Sequence, residues 1–426
     1  MEHANLSHLL EKLARHHLIP GAQLVVHRQG TTEAFEFGEQ VHAGGLPMSR
    51  EARVPVGSIS KTFTASLAMI LASDGDLDLD EPLAEYLPEA GGLSDRLTAR
   101  HLLSHTGGLP SEPDEVRATT LRKHVLDCCR RVRPMHEPGD GFSYSNIGYS
   151  LAGHLIEVVT GMSWWEAMSS ILLQPLGVRP HFVVAPGGGH VSVPGHAVNP
   201  ARGRIVPVQQ SLTLVDAPAG AIAASATDLA LLGELLAGRG PELIGTAELK
   251  EMRLPVAGAE PFGMADAWGL GVALYDDGWF GHDGTGDGTS CHLRVHPESG
   301  TVVALTTNGS TGFAMWREFA REAGIGDYDP LRQLGKPLES APEFTGRFYN
   351  GDTEYSVIPG HEAPLRLVVD GEPFAELTLY DGLMFAMRDV DTGETNQSGR
   401  FIRDSSNYEI GWLQVGGRLA RRHVAA

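Results

Sequence analysis

The sequence predicts an α+β fold, in which a mixed antiparallel sheet flanked by helices is followed by a small antiparallel β-barrel. Strand patterns occur near both ends of residues 1–334 and helical patterns lie between them, as expected when both ends contribute to one sheet. Beyond a linker at residues 334–341, the pattern changes to short strands separated by hairpin dipeptides. These observations predict two domains, residues 1–334 and residues 335–426.

The elements of the first domain follow from the spacing of apolar residues. Alternating or β-branched apolar runs predict strands at residues 22–27, 32–37, 268–274, 290–296 and 301–307. Apolar residues at a spacing of 3.6 predict helices at residues 60–73, 146–160, 163–173 and 315–322. Residues 179–210 are rich in Gly, Pro and Val, and are predicted to form loops and short strands that cover a cleft. Ser225 and Asp228 predict a helix start with an imperfect capping box, because Asp replaces the usual Glu.

The second domain is predicted from its turns. Seven short segments that favour strands alternate with dipeptides typical of tight hairpin turns, at Asn350-Gly351, Asp370-Gly371, Asp381-Gly382 and Gly416-Gly417. Regular short strands with such turns are typical of a small antiparallel barrel or meander.

Composition excludes several classes of partner. The chain has 426 residues, a net charge of −20 and a pI of about 5.3. Because phosphates need a basic surface, this balance argues against nucleic acid and against anionic membranes. No uninterrupted apolar stretch approaches the length of a membrane span. The opening residues lack the pattern of a signal peptide, so we expect a cytoplasmic protein.

No metal or cofactor is expected. The three cysteines, Cys128, Cys129 and Cys291, form neither a disulfide framework nor a zinc-site spacing, which favours a reducing compartment. The sequence contains no H-E-x-x-H and no G-x-G-x-x-G motif. We therefore interpret the histidines near one predicted loop as loop or surface residues, namely His101, His105 and His136.

Ser58 and Lys61 are the first candidates for chemistry. They lie three residues apart at the start of the helix predicted over residues 60–73, so both face the same side of its first turn. Free backbone N–H groups at a helix start stabilise a developing oxyanion, and a desolvated lysine can accept a proton from a nearby hydroxyl. The Ser-x-x-Lys pattern alone is a weak signal, because such pairs occur by chance in most proteins of this length, and a solvated surface lysine is the more common explanation.

Two further motifs add to this pattern. Tyr144 and Asn146 stand at a loop–helix junction, two residues apart, where both can point into one cleft. His282 is followed two residues later by Gly284, which would let a substrate backbone lie close to a strand edge.

These residues carry a family resemblance. The stretches VGSISKTFT, FSYSNIGY and FGHDGTGDG resemble, in order, the three signatures of the serine β-lactamase and penicillin-binding-protein superfamily, in its class C-like branch. HLLSHTGGLP, PLGV and PAGAIAASATDLALL are also similar to that branch. The resemblance covers residues 18–326. It implies a class C β-lactamase-like domain, an α/β part plus an all-helical part, for residues 1–334.

The resemblance implies a role for each motif. Ser58 would be the acylated nucleophile, Lys61 would take its proton or tune the site, and Tyr144 would act as general base or acid. Asn146 would hydrogen-bond Lys61 and a substrate amide, and His282 would support Tyr144 or bind a substrate carboxyl.

The resemblance also places an oxyanion hole and one departure from the family. The backbone N–H groups of Ser58 and Thr285, next to Gly284, would bind the oxyanion. Lactamases of the family carry Lys-Thr-Gly where this chain has His-Asp-Gly. That difference makes β-lactam hydrolysis a less favoured main activity than peptidase, esterase or acyltransferase chemistry.

Three functions remain open at this point. IPGAQLVVHRQG, GHDGTGDGTSCHLRV and the β-rich carboxyl-terminal domain resemble penicillin-binding-protein-type thioesterases, which release a nonribosomal peptide from a carrier protein by head-to-tail cyclisation at a D-configured residue. The same features resemble cytosolic D-stereospecific aminopeptidases, amidases or esterases with a lipocalin-like tail. A sensor that is acylated without turnover is the third, and the intact Tyr144 and His282 argue against it.

Overall fold

The central feature of the chain before residue 334 is a seven-stranded sheet in which every pairing is antiparallel. The computed structural model describes residues 3–112, 118–339, 342–360, 363–390, 393–404 and 406–423. In the first of its two parts the strands are β1 (Gly21–Arg28), β2 (Thr31–Gly38), β3 (Val54–Pro55), β4 (Gly195–Asn199), β5 (Arg204–Val208), β6 (Ala223–Ala224), β7 (Ala267–Trp268), β8 (Ala273–Leu274), β9 (Phe280–Gly286), β10 (Thr289–His296) and β11 (Thr301–Thr307).

The strand order confirms that both ends of this region build one sheet. The order is β2-β1-β11-β10-β9-β8-β7, so the amino-terminal hairpin lies beside the last strand. Two small ribbons, β3 with β6 and β4 with β5, lie outside the sheet. The central strands β10 and β11 are buried along nearly their whole length because helices cover both faces.

The helices pack in two layers and one separate cluster. They are α1 (His3–His16), α2 (Ile59–Ser73), α3 (Ala99–Leu103), α4 (Leu121–Arg131), α5 (Asn146–Thr160), α6 (Trp164–Ala167), α7 (Ala217–Gly220), α8 (Ala226–Leu236), α9 (Thr246–Met252) and α10 (Gly312–Ala323). Helices α1 and α10 cover one face of the sheet, and α2 and α8 cover the other. Beyond the sheet, helices α3, α4, α6 and α7 pack around α2 and α5.

Three predicted elements differ in detail. Residues 268–274 are two short strands, β7 and β8, because the intervening Leu270 and Gly271 donate their N–H groups to Met252 and Leu103. Residues 163–173 form α6 and then a π-helical turn at Met168–Leu173. The motif residues His282 and Gly284 lie inside a further strand, β9, which was not among the predicted strands.

The predicted capping box is complete despite the shorter acid. The Asp228 N–H donates to Ser225 Oγ at 3.2 Å, and the Ser225 N–H donates to Asp228 Oδ2 at 2.8 Å. The same carboxylate binds Arg53 at 3.0 Å, so a second partner holds it in place.

The second part of the chain is a closed eight-stranded antiparallel barrel, as predicted. Its strands are β12 (Gly346–Asn350), β13 (Thr353–Pro359), β14 (Leu365–Val369), β15 (Glu372–Leu379), β16 (Met384–Asp389), β17 (Thr395–Arg403), β18 (Ile410–Val415) and β19 (Arg418–Arg422). Pairing of β12 with β19 closes it. Buried side chains fill its interior, including Phe348, Phe385, Phe401, Leu367 and Leu413.

Two of the four predicted hairpin dipeptides form two-residue turns; Asn350 instead ends β12, and Asp381-Gly382 lies in a 3₁₀ turn between β15 and β16. Asp370-Gly371 and Gly416-Gly417 have positive φ at both residues, which a two-residue type I′ turn requires. Within the described part of the chain, no helix is both long and apolar enough to cross a bilayer.

Candidate active site

Ser58 stands at the start of α2, against strand β9. The approach is so close that two glycines are required. A Cβ on Gly57, whose φ is +52°, would lie 2.3 Å from the Thr285 carbonyl oxygen. A Cβ on Gly284 would lie 1.9 Å from the Val56 carbonyl oxygen. These glycines therefore place the Ser58 backbone beside Thr285, where the oxyanion hole was predicted.

Lys61 is buried beneath Ser58. Its Nζ donates to Ser58 Oγ and to the Ala219 carbonyl, at 3.1 Å in each case, and its side chain is fully buried. The pKa of Lys61 is lowered to about 7, chiefly by burial; Glu112 and Asp216 oppose this shift, and the charge of Arg418 adds to it. Near neutral pH a large fraction of this amine is therefore unprotonated and able to accept a proton.

Tyr144 lies close to both Ser58 and Lys61. It precedes α5, whose N-cap Ser145 accepts from the Gly148 N–H at 3.1 Å. The Tyr144 ring is buried, and its centroid lies 5.0 Å from Lys61 Nζ. Burial raises the pKa of Tyr144, and a hydrogen bond with Ser58 partly offsets this rise. The phenol is therefore a proton donor in the resting site.

His282 is buried on β9, near Tyr144 but not stacked on it. The ring centroids are 6.3 Å apart, and Nδ1–H donates to the carbonyl of Asp283 at 2.5 Å. Burial, followed by the charge of Lys61, lowers the pKa of His282 to about 4. The ring is therefore neutral, and its buried Nε2 has no partner among the described residues. A neutral ring is better suited to supporting Tyr144 than to binding a carboxylate.

A buried ion-pair network holds β9 in register. Arg294 is fully buried, and it donates to Asp283 at 2.8 Å and to Asp327 at 2.6 Å. His292 also contacts Asp283, at 2.7 Å. Because Asp283 follows His282 directly, this network fixes the backbone that carries His282.

Asn146 lines the cleft, but its hydrogen-bond partner differs from the predicted one. Its amide donates to the carboxylate of Glu112, whereas the hydrogen bonds of Lys61 go to Ser58 and Ala219. The Asn146 Oδ1 atom is buried without a partner among the described residues. Sequence reasoning missed Glu112; its position directly after the loop HTGGLPS was the available signal.

His105 was interpreted as a loop or surface residue; it does lie in a turn just after α3, but it is not on the surface. It is buried, and its ring centroid lies 4.3 Å from that of Tyr144. Its Nδ1 accepts from the Ser145 N–H at 3.0 Å. The backbone of His105 has a φ of +59°, a conformation that turns the side chain beneath the predicted catalytic tyrosine.

The open side of the site is a cleft of about 400 Å³. Ser58 is half-exposed at its floor. Gln210, the last residue of the segment predicted to cover a cleft, forms part of its lining, as does the nearby Leu212. The carboxylates of Glu112, Asp216 and Asp287 also line it.

The fold, with a buried lysine that donates to a serine hydroxyl, is that of a serine hydrolase or acyltransferase. Residues 6–324 match the β-lactamase family, and the chain belongs to that family. It is 31% identical over 368 residues to penicillin-binding protein 4 of Amycolatopsis lactamdurans, covering 80% of this chain and 95% of the relative.

Solved structures extend the similarity to the barrel. The crystal structure of SurE has a TM-score of 0.84 and 36% identity, with 99% of each chain covered. The D-amino acid amidase from Ochrobactrum anthropi SV3 shares the fold alone, with a TM-score of 0.63 and 23% identity over 75% of this chain and 97% of that one.

The glycine contact between α2 and β9 is testable. Gly284→Ala should destabilise the protein by about 1–3 kcal/mol, because its Cβ overlaps the Val56 carbonyl and β9 must move. Acylation of Ser58 should fall more steeply than stability, since the same movement displaces Thr285. Thermal unfolding and labelling by an activated ester measure the two effects. Gly92→Ala, which meets no atom within 4 Å, is the control; equal behaviour of both variants would contradict the contact.

Proposed function

We propose that the protein forms a covalent acyl ester at Ser58 and releases a peptide by head-to-tail cyclisation at a D-configured carboxyl-terminal residue. The observation that carries the acyl-transfer part is the buried Lys61 amine, 3.1 Å from Ser58 Oγ, with its pKa lowered to about 7. A hydroxyl with such a base beside it, at the floor of a cleft, is an activated nucleophile.

Acylation is the first half of the proposed reaction. Lys61 takes the Ser58 proton as Oγ attacks the acyl carbon of a peptidyl ester or thioester. The backbone N–H groups of Ser58 and Thr285 stabilise the oxyanion that forms. As the oxyanion collapses, the bond to the leaving group breaks, and Tyr144 passes that group a proton. Lys61 returns a proton to Tyr144, which leaves the peptidyl ester at Ser58.

Deacylation repeats these transfers in the opposite direction. The amino terminus of the same peptide attacks the ester carbon, and the amine loses one proton to the Tyr144 and Lys61 pair. The bond from carbon to Ser58 Oγ breaks, Oγ takes that proton back, and a cyclic amide leaves. His282, neutral and held by the Asp283 carbonyl, supports the tyrosine during both halves.

Two observations support cyclisation and a D-residue. The chain is similar over 99% of its length, barrel included, to SurE, and one of the solved structures is SurE with D-Leu. The sequence stretches quoted above resemble thioesterases of the penicillin-binding-protein type. Delivery of the peptide by a carrier protein, and a cytoplasmic location, belong to the same proposal.

Hydrolysis is the second candidate. Ser58 is half-exposed in an open cleft, so water can reach an ester at its oxygen. The enzyme would then be a D-stereospecific aminopeptidase, amidase or esterase. β-Lactam hydrolysis is less favoured because His282 is neutral, whereas the lactamases of the family carry a lysine in this motif.

A peptidyl thioester with a free amine and a D-residue at its carboxyl end separates these functions. We expect mass spectrometry to show the cyclic peptide with the wild-type enzyme and no product with Ser58→Ala. The same peptide with an L-residue should react poorly, and an N-acetylated peptide should give only linear acid. Linear acid alone from the free amine would identify a hydrolase, a lasting acyl-enzyme a sensor, and an active Ser58→Ala would refute the nucleophile.

The protonation state of Lys61 should appear in the pH dependence of acylation. Only the neutral amine accepts the Ser58 proton, so the rate should fall as pH drops below about 7. Single-turnover acylation by an activated ester, followed from about pH 5 to about pH 9, measures this limb. A rate that stays constant across this range would contradict the role of Lys61.

Tyr144→Phe removes the proton relay but keeps the buried ring. We expect turnover to fall by roughly 10²- to 10⁴-fold while thermal stability changes little. Steady-state kinetics and thermal unfolding measure both. Tyr408→Phe, an exposed tyrosine on the barrel, should behave as wild type. Near-normal turnover in Tyr144→Phe would remove the phenol from the mechanism.

A further inference from the structure

The barrel reaches the active site through one turn. Gly416 and Gly417 connect β18 to β19, and the Gly417 carbonyl accepts the Tyr144 N–H at 3.0 Å. The Gly417 N–H donates in turn to the Phe262 carbonyl at 3.2 Å. Gly417 has a φ of +71°, and a Cβ on it would lie 2.2 Å from Met264 Sδ, so a larger residue here would strain the turn. The turn is thus packed into the first domain, directly against the backbone of Tyr144.

A buried asparagine of the barrel fixes the same place from a second strand. Asn350 ends β12 and is 2% exposed. Its Oδ1 accepts from the Ser111 N–H at 2.7 Å, and its Nδ2 donates to the Leu419 carbonyl at 2.7 Å and to Ser143 Oγ at 3.3 Å. Ser111 Oγ donates to the Tyr144 carbonyl at 2.7 Å. Barrel contacts therefore hold the Tyr144 peptide directly at its N–H and, through Ser111, at its carbonyl.

The residue after the turn brings a charge to the site. Arg418 is half-buried, and its guanidinium carbon lies 5.7 Å from the centroid of the Tyr144 ring. Lys61 approaches the same ring at 5.0 Å. Arg418 of the barrel and Lys61, the predicted base, thus both lie over the ring of Tyr144.

We propose that Arg418 is a positioning residue of the acyl-transfer site, mounted on the barrel and acting through Tyr144 and Lys61. This inference rests on the proposed function of Ser58, Lys61 and Tyr144. It gives the barrel a part in the chemistry, in place of a role as lid, spacer or docking surface.

The charges around Lys61 explain what Arg418 does. Glu112 and Asp216 both line the cleft, and their charges favour the protonated form of the Lys61 amine. Arg418 is the cation, among the described residues, that acts in the opposite direction, and it also lowers the pKa of Tyr144. The remaining titratable groups around the amine are neutral near pH 7, namely Tyr144, Tyr149, His105 and His282. Arg418 therefore offsets the two carboxylates and keeps Lys61 available as a base.

The test compares three variants of the full chain. Arg418→Met removes the charge and keeps a long side chain, and Arg418→Lys keeps the charge. Arg421→Met removes an exposed arginine of the same strand, which stacks on Trp412 instead. Single-turnover acylation by an activated D-aminoacyl ester is measured against pH for each variant, with thermal unfolding alongside.

We expect the midpoint of the acidic limb to move to higher pH by roughly half a unit or more in Arg418→Met. It should stay near the wild-type value in Arg418→Lys and Arg421→Met. A purely structural role would lower stability or amplitude without moving the midpoint, so an unmoved midpoint in Arg418→Met overturns the proposal. The proposed function has its own test, because it fails if Ser58→Ala is still acylated. The simple ester is used because its acylation of Ser58 does not depend on whether the enzyme cyclises peptides.

Discussion

The structure depends above all on the burial of one amine. Lys61 is placed where water cannot solvate its charge, and its hydrogen bonds go to Ser58 Oγ and the Ala219 carbonyl. Desolvation disfavours the ammonium, and two nearby carboxylates, Glu112 and Asp216, prevent the pKa from falling further. The result is a base that is poised near neutral pH, next to the hydroxyl that it is proposed to activate.

Much of the fold around the amine fixes its neighbours in place. Gly57 and Gly284 allow α2 and β9 to touch at backbone level. Arg294 and its acidic partners anchor β9 behind His282. The His105 ring packs beside the Tyr144 ring, and the Gly417 carbonyl of the barrel accepts the Tyr144 N–H. Each of these contacts depends on only a few residues of the sequence.

The sequence predicted those parts of the site that short local patterns define. Ser58 and Lys61 share one helical turn, Tyr144 stands at a helix start, and the order of three motifs carried the family resemblance. The α+β class and the closed barrel followed from apolar spacing and from hairpin dipeptides. These predictions needed only contacts within a few residues, or a family pattern.

The rest depends on contacts between distant residues. His105 has no local signal that distinguishes a buried imidazole from a loop histidine, and Glu112 pairs with Asn146, 34 positions away. Residues 268–274 have a strand-like composition, yet tertiary hydrogen bonds from Leu270 and Gly271 divide them into two short strands. The role of the turn before Arg418 was also hidden, because it lies more than 270 positions from Tyr144.

The contact between Gly417 and Tyr144 makes the surroundings of the candidate site depend on the folded barrel. Pairing of β19 with β12 and β18 closes the barrel, and that closure also presents the turn to the tyrosine. Opening of the barrel by heat or denaturant would remove this contact from the Tyr144 backbone, so loss of activity would report on the integrity of the barrel as well as of the sheet.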